Sequence, residues 1–261
     1  AADDQGRMRA DVLAAALAEG DGPAIVCAQA GNVASGAFDP FEEIATLCRE
    51  RGAWLHVDGA FGLWAAAVPS LGHLTAGVER ADSWGVDAHK WLNVPYDAAM
   101  TIVRDEEAHV GAMAYAGPYL VTSTEQRDSA NYVMESSRRA RAVPVYAALR
   151  SLGREGVVGI VERNCGHARR MAERLARDVP GVEILNDVVL NQVLARFPGG
   201  DDANRAVIAA VQREGTCWLG GTSWAGDHVV RVSFSNWSTT DEDVDRSAAA
   251  IAVAAAATAA A

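Results

Sequence analysis

Lysine is nearly missing from this 261-residue chain: of 23 basic residues, Lys90 is the only one that is not arginine. Basic charge as a whole is short. With 34 acidic residues the formal charge is −11 and the pI is near 5.0, which argues against a nucleic-acid partner because no cationic surplus exists to neutralise phosphates. Arg138, Arg139 and Arg141 form the one basic cluster, expected as a structural or interface patch, with anion binding as the alternative. Cysteine is scarce too. Cys27, Cys48, Cys165 and Cys217 show neither a CxxC pair nor metal-ligand spacing with histidine, so no disulfide framework or metal site is read from them. Cys27 and Cys48 fall on apolar faces and are expected as free buried thiols in a reducing cytoplasm. Long hydrophobic runs are absent: "AAAIAVAAAATAAA" is alanine-rich and weakly apolar, and reads as a frayed helix end rather than a membrane span. The opening "AADDQGRMRADVL" has no charged-then-apolar start, and no signal peptide is expected there.

What is present describes a soluble α/β protein, 50% hydrophobic and 22% charged, long enough for one large domain or a domain and a half. "RMRADVLAAALAEG" has helical spacing and stops at Gly20. "AIVCAQ" follows as a buried strand. "FDPFEEIATLCRERG" predicts a helix with Asp39 as N-cap, Pro40 at the first helical position and Glu42 completing a capping box. "AWLHVDGA", "RADSWGVDAHKW" and "AAMTIVRD" read as further strands. Strands alternating with helices at this spacing predict right-handed crossovers and a parallel sheet covered on both faces, with ligands gathering at the carboxyl ends of strands. Asp58 and Lys90 both fall at such ends. Residues from "AYAGPYL" to "SSRR" are irregular and long for a connection, which marks a functional segment. "PVYAALRSLG" and "VVGIVERNCGHARRMAERLARD" predict long helices. Strand, helix, strand and helix then follow in "NQVLARF", "DDANRAVIAAVQRE", "HVVRVSFSNW" and "TTDEDVDRSAAAIAVAAA", so a boundary is placed near residue 145. There are no internal repeats.

One lysine kept among arginines has two readings. A compositional bias toward arginine accounts for it as a chance survivor. Alternatively Lys90 must be a nucleophilic amine, a role the permanently charged guanidinium cannot fill. A carboxylate at a neighbouring strand tip either pairs with that amine directly or serves the far end of a bound group. Pyridoxal phosphate suits the second arrangement: its aldehyde condenses with a lysine, and a carboxylate keeps its ring nitrogen protonated.

"WLHVDGAFG" followed by "ADSWGVDAHKWLNVPYD" resembles the group II pyridoxal-phosphate-dependent amino acid decarboxylases, which include the aromatic-amino-acid and glutamate decarboxylases. "QAGNVASGAFDPFEEIA", "YVMESSRRARAVPVYAALRSLG", "NQVLARF" and "RVSFSNWSTT" fit the same family, so the resemblance spans nearly the whole chain. It implies an α/β, aspartate-aminotransferase-like fold (fold type I) and a dimer. Residues 1–144 would form the second half of the large, parallel or mixed-sheet domain, and residues 145–261 a C-terminal α+β small domain. By position, the resemblance makes Lys90 the imine lysine and Asp58 the partner of the ring nitrogen. Ala60 would pack on the ring and His89 would lie by the phosphate. Asn32 stands where the family often has threonine, in a loop near the cofactor. Asp87 replaces an asparagine that contacts phosphate in some members, and an aspartate there would repel a dianion, so it is given no role. "GPYL" resembles a mobile catalytic loop, which makes Tyr119 the candidate general acid, with Tyr115 and Tyr132 as alternatives. His56 is expected to face the core, and His73, His109, His167 and His228 to be surface or capping residues. Trp54, Trp64, Trp84 and Trp91 are expected as core rather than as a substrate platform.

The pattern also departs from the family. Members carry, ahead of the region matched here, a glycine- and serine-rich phosphate loop and a histidine that stacks on the ring. No such cradle stands in residues 1–50. Either the sequence is a fragment or a second polypeptide supplies the N-terminal half. The expected function is decarboxylation of an L-amino acid by a split enzyme that dimerises again. Oxidative deamination, carbon–carbon cleavage, transamination and a non-catalytic subunit are the alternatives.

Overall fold

Residues 25–29 and 54–58 alternate buried and more exposed side chains, as strands with one buried face do. The computed structural model describes residues 1–115, 127–135 and 137–259. After helix α1 (Ala10–Glu19), β1 (Ile25–Gln29) pairs in parallel with β2 (Trp54–Asp58), and β2 in parallel with β3 (Ser83–Asp87). The first crossover is α2 (Phe41–Arg51), closed by Gly52 at φ 69 as a left-handed cap. The second consists of three 3-10 turns, Gly62–Ala67, Pro69–Thr75 and Val78–Arg80. β4 (Ala99–Val103) returns antiparallel to β3, so the sheet is mixed, in the order β1-β2-β3-β4; α3 (Glu106–Met113) follows it.

One face of this sheet is filled. Val26, Ala28, Leu55 and Val57 are buried with Phe41, Ile44 and Cys48 of α2, and each fully buried Leu or Ile contributes roughly 2 kcal/mol. The other face carries Ile25, Cys27, Gln29 and Asp58, all exposed, with Ile25 at 73%. Coverage on both faces, expected from the sequence, therefore holds for one face only. The same parity corrects two further expectations. Cys27 is exposed rather than buried, and His56 turns away from the core, its Nδ1 2.8 Å from Ser83 Oγ. Asp39 is not a helix cap either: buried, it accepts from Met8 N and Gln29 N, both at 2.7 Å, and α2 begins after Pro40 without a side-chain cap.

The two helices predicted after residue 142 join as α4 (Ala142–Asp178), broken at Gly153, and position 145 lies in its first turn. Its Ile160, Val161 and Cys165 pack into the first core, and its Met171 and Leu175 into a second one. That second core lies against an antiparallel sheet ordered β5-β6-β8-β7, formed by β5 (Glu183–Ile184), β6 (Gln192–Arg196), β7 (Gly220–Trp224) and β8 (Asp227–Ser233). α5 (Gly200–Glu214) and α6 (Asp241–Ala259) complete it. Arg170 and Arg174 of α4 both reach Asp245 of α6, at 2.6 and 2.7 Å. Among the described residues no helix is long and apolar enough to cross a membrane, and no cluster of His, Cys, Asp or Glu is arranged to hold a metal ion.

His167 overturns its surface assignment. It is 1% exposed on the inner side of α4, edge-on to Phe234 at 5.8 Å. Burial pushes its pKa below the usual 6.5, and Arg163 and Arg170 add to this against the opposing pull of Asp241, 3.4 Å from Nε2. As pH falls below 6.5 the unfolded chain therefore takes up a proton that the folded chain refuses, and stability declines until the folded pKa is passed. Urea midpoints measured from about pH 7 to about pH 5.5 are expected to fall with a slope of at most about 1.4 kcal/mol per pH unit. His167→Leu is expected to flatten that slope, and an unchanged slope would refute the assignment. Thiol labelling checks the open face: Cys27 is expected to react readily in the folded chain. Cys48 and Cys165 are buried, with Cys165 pushed up to about 11, and should react only after unfolding.

Candidate active site

β2 and β3 bring their last residues to the same carboxyl-terminal edge. Asp58 ends β2, and its register partner on β3 is Gly85. The ladder continues past the end of β2: Gly59 N donates to Gly85 O and Asp87 N donates to Ala60 O, each at 2.9 Å. Asp58, Gly85 and Asp87 thus share the open face, on strands about 4.8 Å apart. The glycines of "DGAFG" have a steric reason. A Cβ on Gly62 would overlap the Ala30 carbonyl oxygen, so only glycine lets the turn after β2 close against the turn after β1.

Beyond Asp87 the chain turns through Ala88 and His89 to Lys90. Lys90 Nζ stands 2.9 Å from Asp87 Oδ2 and 5.8 Å from the centroid of the Phe61 ring, with 39% of its side chain exposed. Asp87, which the sequence left without a role, is therefore the partner of Lys90, and its charge is already met. His89 Nδ1 lies 3.0 Å from Ala98 O. A carbonyl can only accept, so Nδ1 carries the hydrogen and Nε2 is turned to Asp87 Oδ2 at 3.5 Å. Tyr96 stacks on the His89 ring, with centroids 4.2 Å apart.

Asp58 is exposed and accepts from Ala60 N through Oδ1 at 3.1 Å; among the described residues its Oδ2 has no hydrogen-bond partner. Asp58, at the tip of β2, and Lys90, in the turn after β3 and paired with Asp87, thus lie on one side of the sheet. The amine is partly exposed and Oδ2 of the carboxylate is uncommitted, which is the pairing a flat cofactor with an aldehyde at one end and a basic nitrogen at the other requires. A cradle for a phosphate is not formed by these residues.

The remaining expected residues fall as follows. Asn32 organises the loop after β1: its Oδ1 accepts from Ala34 N (2.9 Å) and Ser35 N (3.2 Å), and its Nδ2 donates to Gln29 Oε1 (3.0 Å). Tyr119 lies outside the described residues. Tyr115 is exposed. Tyr132 donates its hydroxyl to Glu106, which pushes its pKa up, and carries Arg127 over its ring at 3.9 Å. Trp91 is fully buried, while Trp54, Trp64 and Trp84 are half-buried and donate to Ser83 Oγ, Asp87 O and Val78 O. Of the arginine cluster, Arg139 and Arg141 both pair with Asp97, which holds that carboxyl at about 2. Asn93 was missed by the sequence reading. It bonds the backbone of Lys90 and Trp91 from three and two residues downstream, spacings that invite such contacts in a turn.

Residues 1–197 match the family model described as the pyridoxal-dependent decarboxylase conserved domain. An aromatic-L-amino-acid decarboxylase of Drosophila lebanonensis is 28% identical over 252 residues, covering 94% of this chain and 62% of the relative. A 4-hydroxyphenylacetaldehyde synthase of Rhodiola rosea is 28% identical over 242 residues, covering 90% of this chain and 49% of the relative. The crystal structure of Oryza sativa TDC with PLP and tryptamine superposes with a TM-score of 0.90 at 23% identity, covering 97% of this chain and 56% of that one. This chain spans about half the length of the relatives it matches. The fold is therefore aspartate-aminotransferase-like, fold type I. With the domain match running through both strand tips and the lysine turn, the chain belongs to the pyridoxal-dependent decarboxylase family.

Proposed function

We propose that this chain supplies the amine end and the ring-nitrogen end of a pyridoxal 5'-phosphate site, and that the site decarboxylates an L-amino acid. The observation that carries this reading is the placement of Lys90 and Asp58 at the tips of adjacent parallel strands. Lys90 provides the amine that bonds the cofactor's aldehyde. Asp58 sets a carboxylate at the ring nitrogen and holds a proton there. Ala60 leaves room for a flat ring, His89 offers its ring beside the phosphate, and Asn32 shapes the loop on the neighbouring strand end. The cofactor, when bound, supplies an electron sink that lets a bond to the substrate α-carbon break. We assign Tyr119 the return of a proton to that carbon.

The uncovered sheet face supports the inference that a second polypeptide, carrying the N-terminal half of the cofactor domain, packs there, and that the pair dimerises again. Residues 1–144 and 145–261 are assigned as the cofactor-domain portion and the small domain. Free cysteines fit a reducing cytoplasm, where we place the enzyme. If the partner covers this face, Cys27 loses its reactivity toward thiol reagents on assembly; equal reactivity in the assembled enzyme would exclude that mode of packing. A second reading, aldehyde formation, is favoured by the likeness to the 4-hydroxyphenylacetaldehyde synthase. Carbon–carbon cleavage, transamination and a non-catalytic role use the same scaffold.

Borohydride reduction of the assembled enzyme, followed by peptide mapping and product analysis, tests these readings. A pyridoxyl label on Lys90, with an amine and carbon dioxide as products, is expected. Lys90→Ala is expected to abolish both. Asp58→Asn is expected to keep the label but to lower kcat by ~10²-fold or more. A label elsewhere would overturn the assignment of Lys90. An aldehyde product would select the second reading, and a chain that never takes the label would be a non-catalytic subunit.

A further inference from the structure

Asn93 occupies a position that neither the family match nor the chemistry of Lys90 explains. Its backbone is in the left-handed region, φ 54, which asparagine tolerates better than most residues. Its Nδ2 donates to Lys90 O at 3.1 Å, to Trp91 O at 2.8 Å and to Ser235 O at 2.7 Å, and its Oδ1 accepts from Trp237 N at 3.2 Å. An amide nitrogen has two hydrogens, so the adjacent Lys90 and Trp91 carbonyls share one and Ser235 takes the other. Ser235 and Trp237 lie in the connection between β8 and α6, on the second sheet's side of the molecule.

A second tie runs in parallel. The buried Asn164 of α4 has its amide 2.8 Å from Trp91 Nε1 and 3.3 Å from Asn236 O, and satisfies both when its oxygen is assigned to Trp91 Nε1 and its nitrogen to Asn236 O. Arg163 donates to Trp237 O at 2.8 Å. The turn that presents Lys90 is thus fastened on one side to the turn after β2, through Asp87 N and Ala60 O, and on the other to residues 235–237.

We infer that Asn93 is a positioning residue for Lys90: it clamps the lysine turn to the β8–α6 connection, so that the C-terminal module sets the direction in which the amine points. This rests on the reading of Lys90 as the amine that bonds pyridoxal phosphate. Only asparagine meets all the demands of the position. Glycine accepts the backbone conformation but makes none of the side-chain bonds. Aspartate keeps an acceptor for Trp237 N but has no hydrogens to give to three carbonyls.

The single lysine makes the test direct, because any lysine modified on this chain, identified by peptide mapping, is Lys90. In the assembled enzyme stripped of cofactor, the rate at which pyridoxal phosphate with cyanoborohydride labels Lys90 is compared with the rate of acetylation of Lys90 by acetic anhydride. Labelling by the cofactor depends on the aim of the amine, whereas acetylation depends only on access. Asn93→Gly and Asn93→Asp are both expected to slow pyridoxyl labelling roughly tenfold while acetylation stays within about twofold. Labelling by both variants at the wild-type rate would overturn the clamp while leaving the role of Lys90 intact. A parallel loss of both reactions would also overturn it, since that marks a disordered turn rather than a misdirected amine. A wild-type enzyme that takes no pyridoxyl label at Lys90 would remove the cofactor reading and the clamp together.

Discussion

Two backbone hydrogen bonds, Gly59 N to Gly85 O and Asp87 N to Ala60 O, extend the β2–β3 ladder past the end of β2. They place an acid and an amine from segments thirty residues apart in sequence, "VDGA" and "DAHK", on one edge of one sheet. Neither bond involves a chemically active side chain, yet together they tie the turn after β2 to the strand that leads into the lysine turn. The glycines of the first segment follow from this constraint. Gly62 is where the turn after β2 must touch the backbone of the turn after β1, and a side chain there would push the Asp58 tip off the edge.

The same sheet is left half dressed. Its inner face is packed by α2 and α4, while its outer face shows Ile25, Cys27 and Asp58 to solvent. A largely parallel sheet with one bare face is unusual, because apolar strand residues are normally covered on both sides. The bare face is also the one that carries Asp58 and Asp87. The partner proposed for this face would therefore also close the site, coupling completion of the core to completion of the chemistry. The Asp87 carboxylate on this face lies 2.9 Å from Lys90 Nζ.

Much of this was legible in the sequence because the informative residues are local. A lone lysine after an apolar run, and an Asp-Gly-Ala at the end of another, mark strand tips by pattern alone, and the chemistry follows from the residue types. What the sequence hid depends on packing. Alternation shows that Cys27 and His56 share a face, but not which face the rest of the chain covers, and the wrong face was chosen for both. Asp39 has the spacing of a helix cap, yet two backbone amides from Met8 and Gln29 compete for it and win. A carboxylate three residues before a lysine reads the same whether it pairs with that lysine or repels a phosphate; the turn geometry decides for Asp87. His167 was within reach, since it stands three residues after the buried Asn164 and four before the buried Met171 on α4. Asn93 was beyond reach, because its partners at 235–237 come from the far end of the chain.

The measurement that bears most directly on the paired strand tips is a crystal structure of the assembled enzyme with pyridoxal phosphate bound. A ring covalently joined to Lys90 Nζ, with its nitrogen about 2.7–3.2 Å from a carboxylate oxygen of Asp58, is the expected result. A ring whose nitrogen faces any other group, or a cofactor seated away from the β2–β3 edge, would contradict it.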